Sequence, residues 1–236
     1  MQSLRGCIIG LEGAVLSDRI LFADAEVIVI DKPAGLPVDP PRNGGPSVDA
    51  FIDELKLGFK TAPVAMHRLD TDTTGCLLFA RNGHARKIIQ AAFEAGAVEK
   101  TYIAVVEGVP PGDGGTIDLP LAKFSTAAAG WRMVPDEAGK HALTHWRKLG
   151  ELDGNSLIVF KPATGRTHQI RVHAARGLGC AILGDPVYSD RDSDPDQPML
   201  LHAWKLKVPR GAKPAIDITA PVPDSFGLYL DLVGEG

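Results

Sequence analysis

The segment around Asp70 gathers several side chains whose types could do chemistry. An imidazole, a guanidinium and a carboxylate lie within four residues, at His67, Arg68 and Asp70, and a second carboxylate follows at Asp72. A glycine and a short apolar run come next. Reactive groups often lie on loops that a rigid scaffold holds in place. We therefore take this segment as a candidate site, with the alternative that either carboxylate only caps a turn.

Three kinds of chemistry are compatible with these carboxylates to different degrees. Residues 70–73 fit a DxDxT pattern of phosphoryl transfer, but a polar stretch precedes them and no clear acidic magnesium ligand follows. Hydrolysis of a glycosidic bond needs two carboxylates at a defined separation across one sugar, which loop residues i and i+2 do not reliably provide. Rearrangement of a glycosidic bond without water needs an ionised carboxylate, a cation beside it and a stacking aromatic ring. Asp70, Arg171 and Tyr102 supply these three groups.

A basic segment precedes and enters a predicted helix at residues 167–177. No Asp or Glu occurs from residue 154 to residue 184, whereas four cations and two histidines do: Lys161, Arg166, Arg171, Arg176, His168 and His173. Thr167 is the predicted N-cap and Gly177 the predicted end, with His168 and Arg171 on one neighbouring face. A helix N-terminus beside unopposed arginines predicts an anion site. The alternative is a solvated basic face.

The elements that must position these groups are mostly strands. Ser47 is the predicted N-cap of one helix, and Ile88, Ala92 and Ala95 are the predicted inward positions of a second helix that Gly96 ends. Tyr102 is expected to be half-buried in a strand. Apolar periodicity and β-branched runs predict strands at 20–23, 27–30, 76–80, 99–108, 142–149 and 156–160, helices at 48–55 and 84–95, short hairpin strands within 109–140, a strand or short helix at 199–206, and further strands to the end.

Composition limits the class of protein. The 236 residues carry a formal net charge of -4, which neither suggests nor excludes a nucleic-acid partner, because phosphate binding depends on local clusters of cations. Cys7, Cys76 and Cys180 are far apart and odd in number, which argues against disulfides or a cysteine zinc site. We find no signal peptide and no membrane span, and we expect a cytoplasmic protein. The acidic stretch 190–196 lacks the glycine and glutamate of a calcium loop and is expected to be exposed.

Five collinear blocks resemble the signature blocks of the RluA-type RNA pseudouridine synthases, in order, across about residues 20–220. Each block alone is weak, but the five together are highly specific. They are Asp31-Lys32-Pro33-Ala34-Gly35-Leu36, His67-Arg68-Leu69-Asp70 with Thr74-Gly75, Lys100-Thr101-Tyr102-Ile103-Ala104, residues 164–173 (TGRTHQIRVH) and Gly184-Asp185-Pro186-Val187-Tyr188.

The resemblance implies conversion of uridine to pseudouridine in rRNA or tRNA. Asp70 is the implied catalytic carboxylate, which either attacks C1′ or removes a proton from C2′, with Arg171 as its ionic partner. Tyr102 is expected to stack on the extruded base and Arg68 to fill the space that the flipped uridine leaves. The other implied RNA contacts are His67, Lys161, Arg166 and His168. No metal or organic cofactor is implied.

The resemblance also implies an α+β fold, with a mixed, mainly antiparallel central sheet, flanking helices and a catalytic cleft. Residues 1–19 are too short for an S4-type RNA-binding domain, so residues 20–236 are expected to form a single catalytic domain. Thr74 stands where the family usually has serine, a change that keeps the hydroxyl. We expect a monomer that binds RNA and no membrane. The alternative is a non-catalytic RNA-binding module on the same fold, against which the intact Asp70, Tyr102 and Arg171 argue.

Overall fold

The structure, a computed structural model, describes residues 15–41, 44–126, 130–190 and 196–234. Most of the expected N-terminal segment 1–19, the predicted free thiol of Cys7 and residues 191–195 of the acidic stretch lie outside the described residues. The chain forms two compact units. The first comprises Met1–Glu99 with Ala203–Pro221, and the second comprises Lys100–His202 with Val222–Gly236.

Strands are the main elements of the described residues, with few helices among them. The strands are β1 (Ile20–Ala23), β2 (Val27–Lys32), β3 (Val64–Ala65), β4 (Thr74–Ala80), β5 (Glu99–Val106), β6 (Gly114–Asp118), β7 (Leu121–Thr126), β8 (Gly130–Pro135), β9 (Leu143–Leu152), β10 (Asn155–Pro162), β11 (Leu201–Arg210) and β12 (Lys213–Thr219). The helices are α1 (Gly83–Glu94), α2 (Gln169–Val172) with a π-helical continuation at His173–Leu178, α3 (Leu230–Val233), and 3₁₀ helices at Leu16–Arg19, Val48–Lys56 and Asp224–Tyr229.

The first unit is a sheet flanked by α1. Strands β1, β2, β4 and β11 lie side by side in that order, with β12 on β11 and β3 on β4. The pairs β1–β2, β2–β4, β3–β4 and β11–β12 are antiparallel. All four residues of the β-branched run Val27–Ile30 are buried, because β2 is covered on both faces. Helix α1 adds Ala85 and Ile89 to the core of this unit.

The second unit carries its own antiparallel sheet, in which β5, β10, β9 and β6 are neighbours in that order. Strands β7 and β8 form a separate antiparallel hairpin. The helical segment of α2 packs its apolar side chains Ile170 and Ala174 against Ala104, Ile158 and Phe160 of the sheet. This packing fixes the orientation of Arg171, which lies next to Ile170 on the same turn.

The predicted fold is confirmed, because the structure is a mixed α+β arrangement with mainly antiparallel strands. The predicted strands at 20–23, 27–30, 76–80 and 156–160 lie within β1, β2, β4 and β10, and the hairpin strands predicted within 109–140 are β6, β7 and β8. No helix of the described residues is both long enough and apolar enough to cross a membrane.

Several local predictions are wrong at the level of single residues. The segment after Ser47 is a 3₁₀ helix, and the side chain of Ser47 makes no capping bond to it. The buried positions of α1 are Ala85 and Ile89; of the predicted inward residues, Ala92 packs against the core, Ile88 is half-buried and Ala95 is exposed. The described chain also closes with helical turns, because Pro223 and Asp224 lead into a 3₁₀ helix and then α3.

The helix predicted at 167–177 differs most from the structure. Its N-cap position is taken by His168 instead of Thr167, with a left-handed φ of 52°. Regular α-helical geometry lasts only through α2, and the rest is π-helical. Left-handed backbone in a non-glycine residue and π-helical turns both occur preferentially at functional sites. The irregularity therefore falls on the segment that carries Arg171.

Candidate active site

The loop of Asp70 lies between β3 and β4 in the first unit. Thr73 donates its N–H to the carbonyl of Asp70 at 3.1 Å, which closes a tight turn. Asp70 and Asp72 are both half-buried, whereas Thr71 between them is exposed. The turn thus holds two carboxylates that remain accessible to solvent.

Lys32 is the buried support of this turn. Its side chain is fully buried, and its ammonium donates to the carbonyl oxygens of Pro33, Leu36 and Thr71 at 2.7, 2.9 and 2.9 Å. An ammonium has three donors, so these three acceptors use all of them. The bond to Thr71 ties the end of β2 to the residue between the two carboxylates.

The charge of Lys32 depends on two opposed effects. Burial lowers the pKa of Lys32 from 10.5 to about 7, while the negative charges of Asp72, Asp70 and Asp31 raise it. Bonds to three carbonyl oxygens also favour the charged form. Lys32 is therefore a support of the loop, and it lies opposite Gly75 in the pairing of β2 with β4.

Gly75 lets β4 begin directly after the loop. Its φ is +102°, and a Cβ at this position would lie 2.3 Å from the carbonyl oxygen of Ala203. Any side chain would therefore collide with the backbone of β11. The close approach fixes where the loop of Asp70 leaves the sheet.

His67 and Arg68 point to different environments at the start of the same loop. The Nε2 atom of His67 accepts the N–H of Leu78 at 3.1 Å, and its ring packs 5.6 Å from that of Phe93. Arg68 is exposed, and its Nη1 lies 3.1 Å from a carboxylate oxygen of Asp39. His67 is thus anchored to β4, whereas Arg68 projects into solvent.

Arg171 lies in the second unit and is fixed by a buried carboxylate. Its Nε and Nη2 donate to the two carboxylate oxygens of Asp185, both at 2.7 Å, and only 4% of Arg171 and 1% of Asp185 are exposed. The guanidinium also lies 5.2 Å from the centre of the Tyr188 ring. One Asp185 oxygen accepts the N–H groups of Val187 and Tyr188 as well. Asp185 is therefore held by the backbone and in turn holds Arg171.

The prediction of unopposed arginines is wrong for Arg171 and Arg176. Their carboxylate partners come from just beyond the acid-free stretch: Asp185 pairs with Arg171, and Asp190 with Arg176 at 3.3 Å. The Nε of Arg166 donates instead to the carbonyl of His141 at 2.9 Å. The anion-site prediction is therefore reduced to the exposed cations Lys161 and Arg166.

Gln169 fastens the irregular helix to the sheet. Its Oε1 accepts from the hydroxyl of Thr164 and from the N–H of Arg166, and its Nε2 donates to the carbonyl of Leu143 and the hydroxyl of Thr144. All four hydrogen-bonding positions of this buried amide are satisfied. The start of α2 is thereby fixed relative to β9.

His173 extends the same network as a neutral ring. Its Nε2 lies 3.1 Å from the carbonyl of Leu119, which can only accept, so Nε2 carries the proton. Its Nδ1 then accepts from the hydroxyl of Thr144 at 2.8 Å. Burial lowers the pKa of His173 below 6.5, which keeps the ring uncharged at neutral pH.

Tyr102, Lys161 and His168 occupy three different positions in the second unit. Tyr102 is half-buried, as predicted, opposite Phe160 in the β5–β10 pair. Lys161 is exposed on β10. The Nδ1 of His168 lies 2.8 Å from the hydroxyl of Tyr188, which also accepts the N–H of Met133 at 3.0 Å. His168 is thus tied both to the Asp185 segment and to the hairpin of β7 and β8.

Asp70 and Arg171 each lie in a different unit, with partners that the sequence did not predict as site residues. Asp70 stands with Lys32 and Asp72 in the first unit, and Arg171 stands with Asp185 and Tyr188 in the second. The pairing of Asp70 with Arg171 and the stacking role of Tyr102 remain predictions.

Known proteins share this chain's sequence and fold. The family described as RNA pseudouridylate synthase matches residues 26–176, which is more than half of the chain. The chain belongs to the RNA pseudouridylate synthase family. An uncharacterised RNA pseudouridine synthase of Zymomonas mobilis is 49% identical over 212 residues, covering 90% of this chain and 97% of that protein. Ribosomal large subunit pseudouridine synthase C of Rickettsia conorii is 38% identical over 200 residues, covering 83% and 64%.

The solved structures agree with this assignment. Human RNA pseudouridylate synthase domain containing 4 superposes with a TM-score of 0.76 and 27% identity, covering 93% of this chain and 94% of that one. The resemblance to the RluA-type pseudouridine synthases is thus confirmed. The matched range of the family contains Lys32, Asp70, Tyr102 and Arg171.

Three supporting residues lie in the signature blocks, although the sequence alone indicated no role for them. They are Lys32, Asp185 and Tyr188. For Lys32 the signal in the sequence was its position at the end of a predicted buried strand, before a Pro-Ala-Gly turn, because lysine is rarely fully buried. For Asp185 the signal was a carboxylate immediately beyond a long acid-free stretch that contains an arginine at a helical position.

Proposed function

We propose that this pseudouridylate synthase converts uridine to pseudouridine in RNA, with Asp70 as the catalytic carboxylate. The observation that carries the proposal is the family match over a range that includes Asp70, Tyr102 and Arg171. The geometry supports it, because Asp70 is half-exposed on a turn whose backbone Lys32 holds in place. A reactive carboxylate needs both access and a fixed position.

The reaction is an isomerisation in which the uracil changes its point of attachment. The N1–C1′ bond breaks, the freed uracil rotates, a C5–C1′ bond forms, and C5 loses a proton while N1 gains one. Asp70 starts the reaction either by attack on C1′ or by removal of a proton from C2′. Both routes require the ionised carboxylate, which a positive neighbour favours.

Each remaining predicted residue has a proposed role that fits its surroundings. Arg171, oriented by Asp185, stabilises the negative charge of Asp70. Tyr102 stacks on the extruded uracil, and the exposed Arg68 exchanges Asp39 for the RNA when the uridine flips out. Lys161, Arg166 and His168 contact phosphates, and His67, whose ring is anchored to β4, contributes to RNA binding from the start of the loop.

The relatives favour ribosomal RNA as the substrate class. Two of them are named ribosomal large subunit pseudouridine synthases C and D. We propose a monomer that acts in the cytoplasm on rRNA, with tRNA as the other candidate.

Tritium release from RNA tests the proposal directly. Uridine labelled with tritium at C5 loses the label when C5 becomes bonded to C1′, so the purified protein should release tritium from unmodified rRNA or tRNA. Asp70→Asn is the matched control, because it keeps the size of the side chain and removes its charge. Release by the wild type no faster than by Asp70→Asn, on both RNA classes, would contradict the proposal.

A further inference from the structure

Lys100 is a half-buried cation at the start of β5. Its ammonium donates to the carbonyl of Thr164 at 3.1 Å, and no carboxylate of the described residues pairs with it. Burial lowers the pKa of Lys100, and no neighbouring negative charge raises it again. Charges that are removed from water are usually paired. The charge of Lys100 is therefore uncompensated within the part of the chain that the structure describes.

Lys32 and Lys100 differ in how many of their donors are used. An ammonium has three donors. Lys32 uses all three on carbonyl oxygens, whereas Lys100 uses one among the described residues. The neighbour of the Lys100 ammonium is the exposed Gly165, where a Cβ would lie 3.7 Å from Nζ. Because residue 165 has no side chain to cover the ammonium, two donors of Lys100 are available to a ligand.

Lys100 lies on the face of β5 that carries Tyr102. Residues two apart in a strand share a face and lie about 7 Å apart. Thr164, whose carbonyl accepts from Lys100, also donates its hydroxyl to Gln169 at the start of α2. The ammonium thus joins the strand of Tyr102 to the segment that leads to Arg171.

Negative charge develops on the uracil during the proposed reaction. When the N1–C1′ bond breaks, its electron pair stays with the uracil, and the charge spreads over N1, O2 and O4. A fixed cation in a partly dry site stabilises such a charge more in the transition state than in the ground state. A phosphate, in contrast, carries its charge throughout, so a cation bound to it would support binding instead of bond cleavage. A half-buried cation beside the ring proposed to stack on the uracil fits the first task.

We propose that Lys100 donates to O2 or O4 of the extruded uracil and stabilises the negative charge that forms as the N1–C1′ bond breaks. The inference rests on the proposed function and deepens it, because it adds a second catalytic residue to Asp70. Lys100 exchanges no proton and forms no covalent bond. The electron pair of the broken bond stays on the uracil until the C5–C1′ bond forms.

Single-turnover rates and RNA affinities of Lys100→Met test this role. Loss of one donor to a developing oxyanion typically costs a factor of about 100 or more, so we expect a rate about 100-fold lower and an unchanged dissociation constant. Lys100→Arg keeps the charge and should recover most of the rate. The matched control is Lys87→Met, which removes an exposed lysine of α1 and should change neither quantity. Melting temperatures equal to that of the wild type show that the fold is retained.

Substrate analogues identify the oxygen. RNA that carries 2-thiouridine or 4-thiouridine at the position that the wild type modifies has sulfur, a weaker acceptor, in place of O2 or O4. On the analogue that lacks the contacted oxygen, the rates of Lys100→Met and of the wild type should differ less than they do on uridine. Tritium at C5 reports the reaction on all three RNAs.

Four outcomes would overturn the inference. They are an unchanged rate in Lys100→Met, the same rate loss on uridine and on both analogues, parallel losses of rate and affinity, which would make Lys100 a phosphate contact, and a lower melting temperature with no recovery in Lys100→Arg, which would make it a structural residue. Failure of the proposed function gives a different result, because the wild type would then release no tritium. An active wild type with an equally active Lys100→Met contradicts only the role of Lys100.

Discussion

Asp70 and Arg171 are held in place in opposite ways. The Asp70 turn is held from beneath through backbone atoms, by Lys32 and the carbonyl of Thr71, which leaves the carboxylate half-exposed. Arg171 is held through its own charged end by Asp185 and is almost completely buried. A carboxylate that reacts needs an accessible end on a fixed backbone, whereas a group that supplies only charge can be buried with its charged end fixed. The difference fits the proposed roles, with Asp70 as the reacting group and Arg171 as its electrostatic support.

Among the residues that support the reaction, Arg171→Met is expected to have the largest effect, because it removes the fixed charge. It leaves the buried carboxylate of Asp185 without its partner, so we expect a loss of about 3–5 kcal/mol in the free energy of unfolding. The single-turnover rate should fall by more than the affinity for RNA. Urea denaturation and single-turnover assays measure the two quantities. Equal losses of rate and affinity would make Arg171 an RNA contact instead of an electrostatic support.

Lys32→Met should affect the turn that carries Asp70. Three carbonyl oxygens lose their donor, and the Asp70 turn loses its tie to β2. Because small displacements of a reactive group have large kinetic costs, we expect a rate about 100-fold lower, with a much smaller change in the dissociation constant for RNA. If rate and affinity stayed at wild-type values, the backbone of the turn would not depend on Lys32.

The stability of the protein should also depend on pH through Lys32. Burial lowers the folded pKa from 10.5 to about 7, so between these values the unfolded chain binds a proton that the folded chain has released. Stability should therefore rise with pH across this window, and it should rise more steeply in the wild type than in Lys32→Met. Urea midpoints from pH 6 to about 10 measure the difference. Parallel curves for the two proteins would show that Lys32 keeps its ordinary pKa.

Arg68→Ala should have the smallest effect on the fold. The pair of Arg68 and Asp39 is exposed on both sides, and such pairs contribute about 0–1 kcal/mol. The change should therefore appear in the reaction instead, as a slower rate on a structured RNA than on an unstructured one, because only the former must release its base from a stack. A melting temperature several degrees lower, with unchanged rates on both RNAs, would make Arg68 a structural residue.

Sequence patterns were sufficient for the parts of this molecule that local physics determines. The β-branched run at Val27–Ile30 predicts a buried strand, which the structure confirms. The ordered signature blocks predict the family, which the comparisons confirm, and the roles of Asp70, Tyr102 and Arg171, which stay predictions. Contacts between residues that are far apart in the sequence were harder to predict. The charged partner of Arg171 is Asp185, 14 residues away, outside the stretch whose lack of acids suggested free arginines. The left-handed backbone of His168 and the π-helical turns after α2 occur where the segment bonds and packs to the sheet, and single-residue propensities contain no such contacts.

A comparison of the two carboxylates of the Asp70 turn tests most directly whether Asp70 is the catalytic residue. Asp70 and Asp72 are both half-buried and both raise the pKa of Lys32, yet only Asp70 is proposed to carry out the chemistry. Single-turnover pseudouridine formation and RNA affinity should be measured for Asp70→Asn and Asp72→Asn side by side. We expect Asp70→Asn to bind RNA and form no pseudouridine, and Asp72→Asn to retain activity within about tenfold, an effect of about 1.4 kcal/mol on the barrier. Activity in Asp70→Asn, or loss of activity in Asp72→Asn alone, would contradict the assignment.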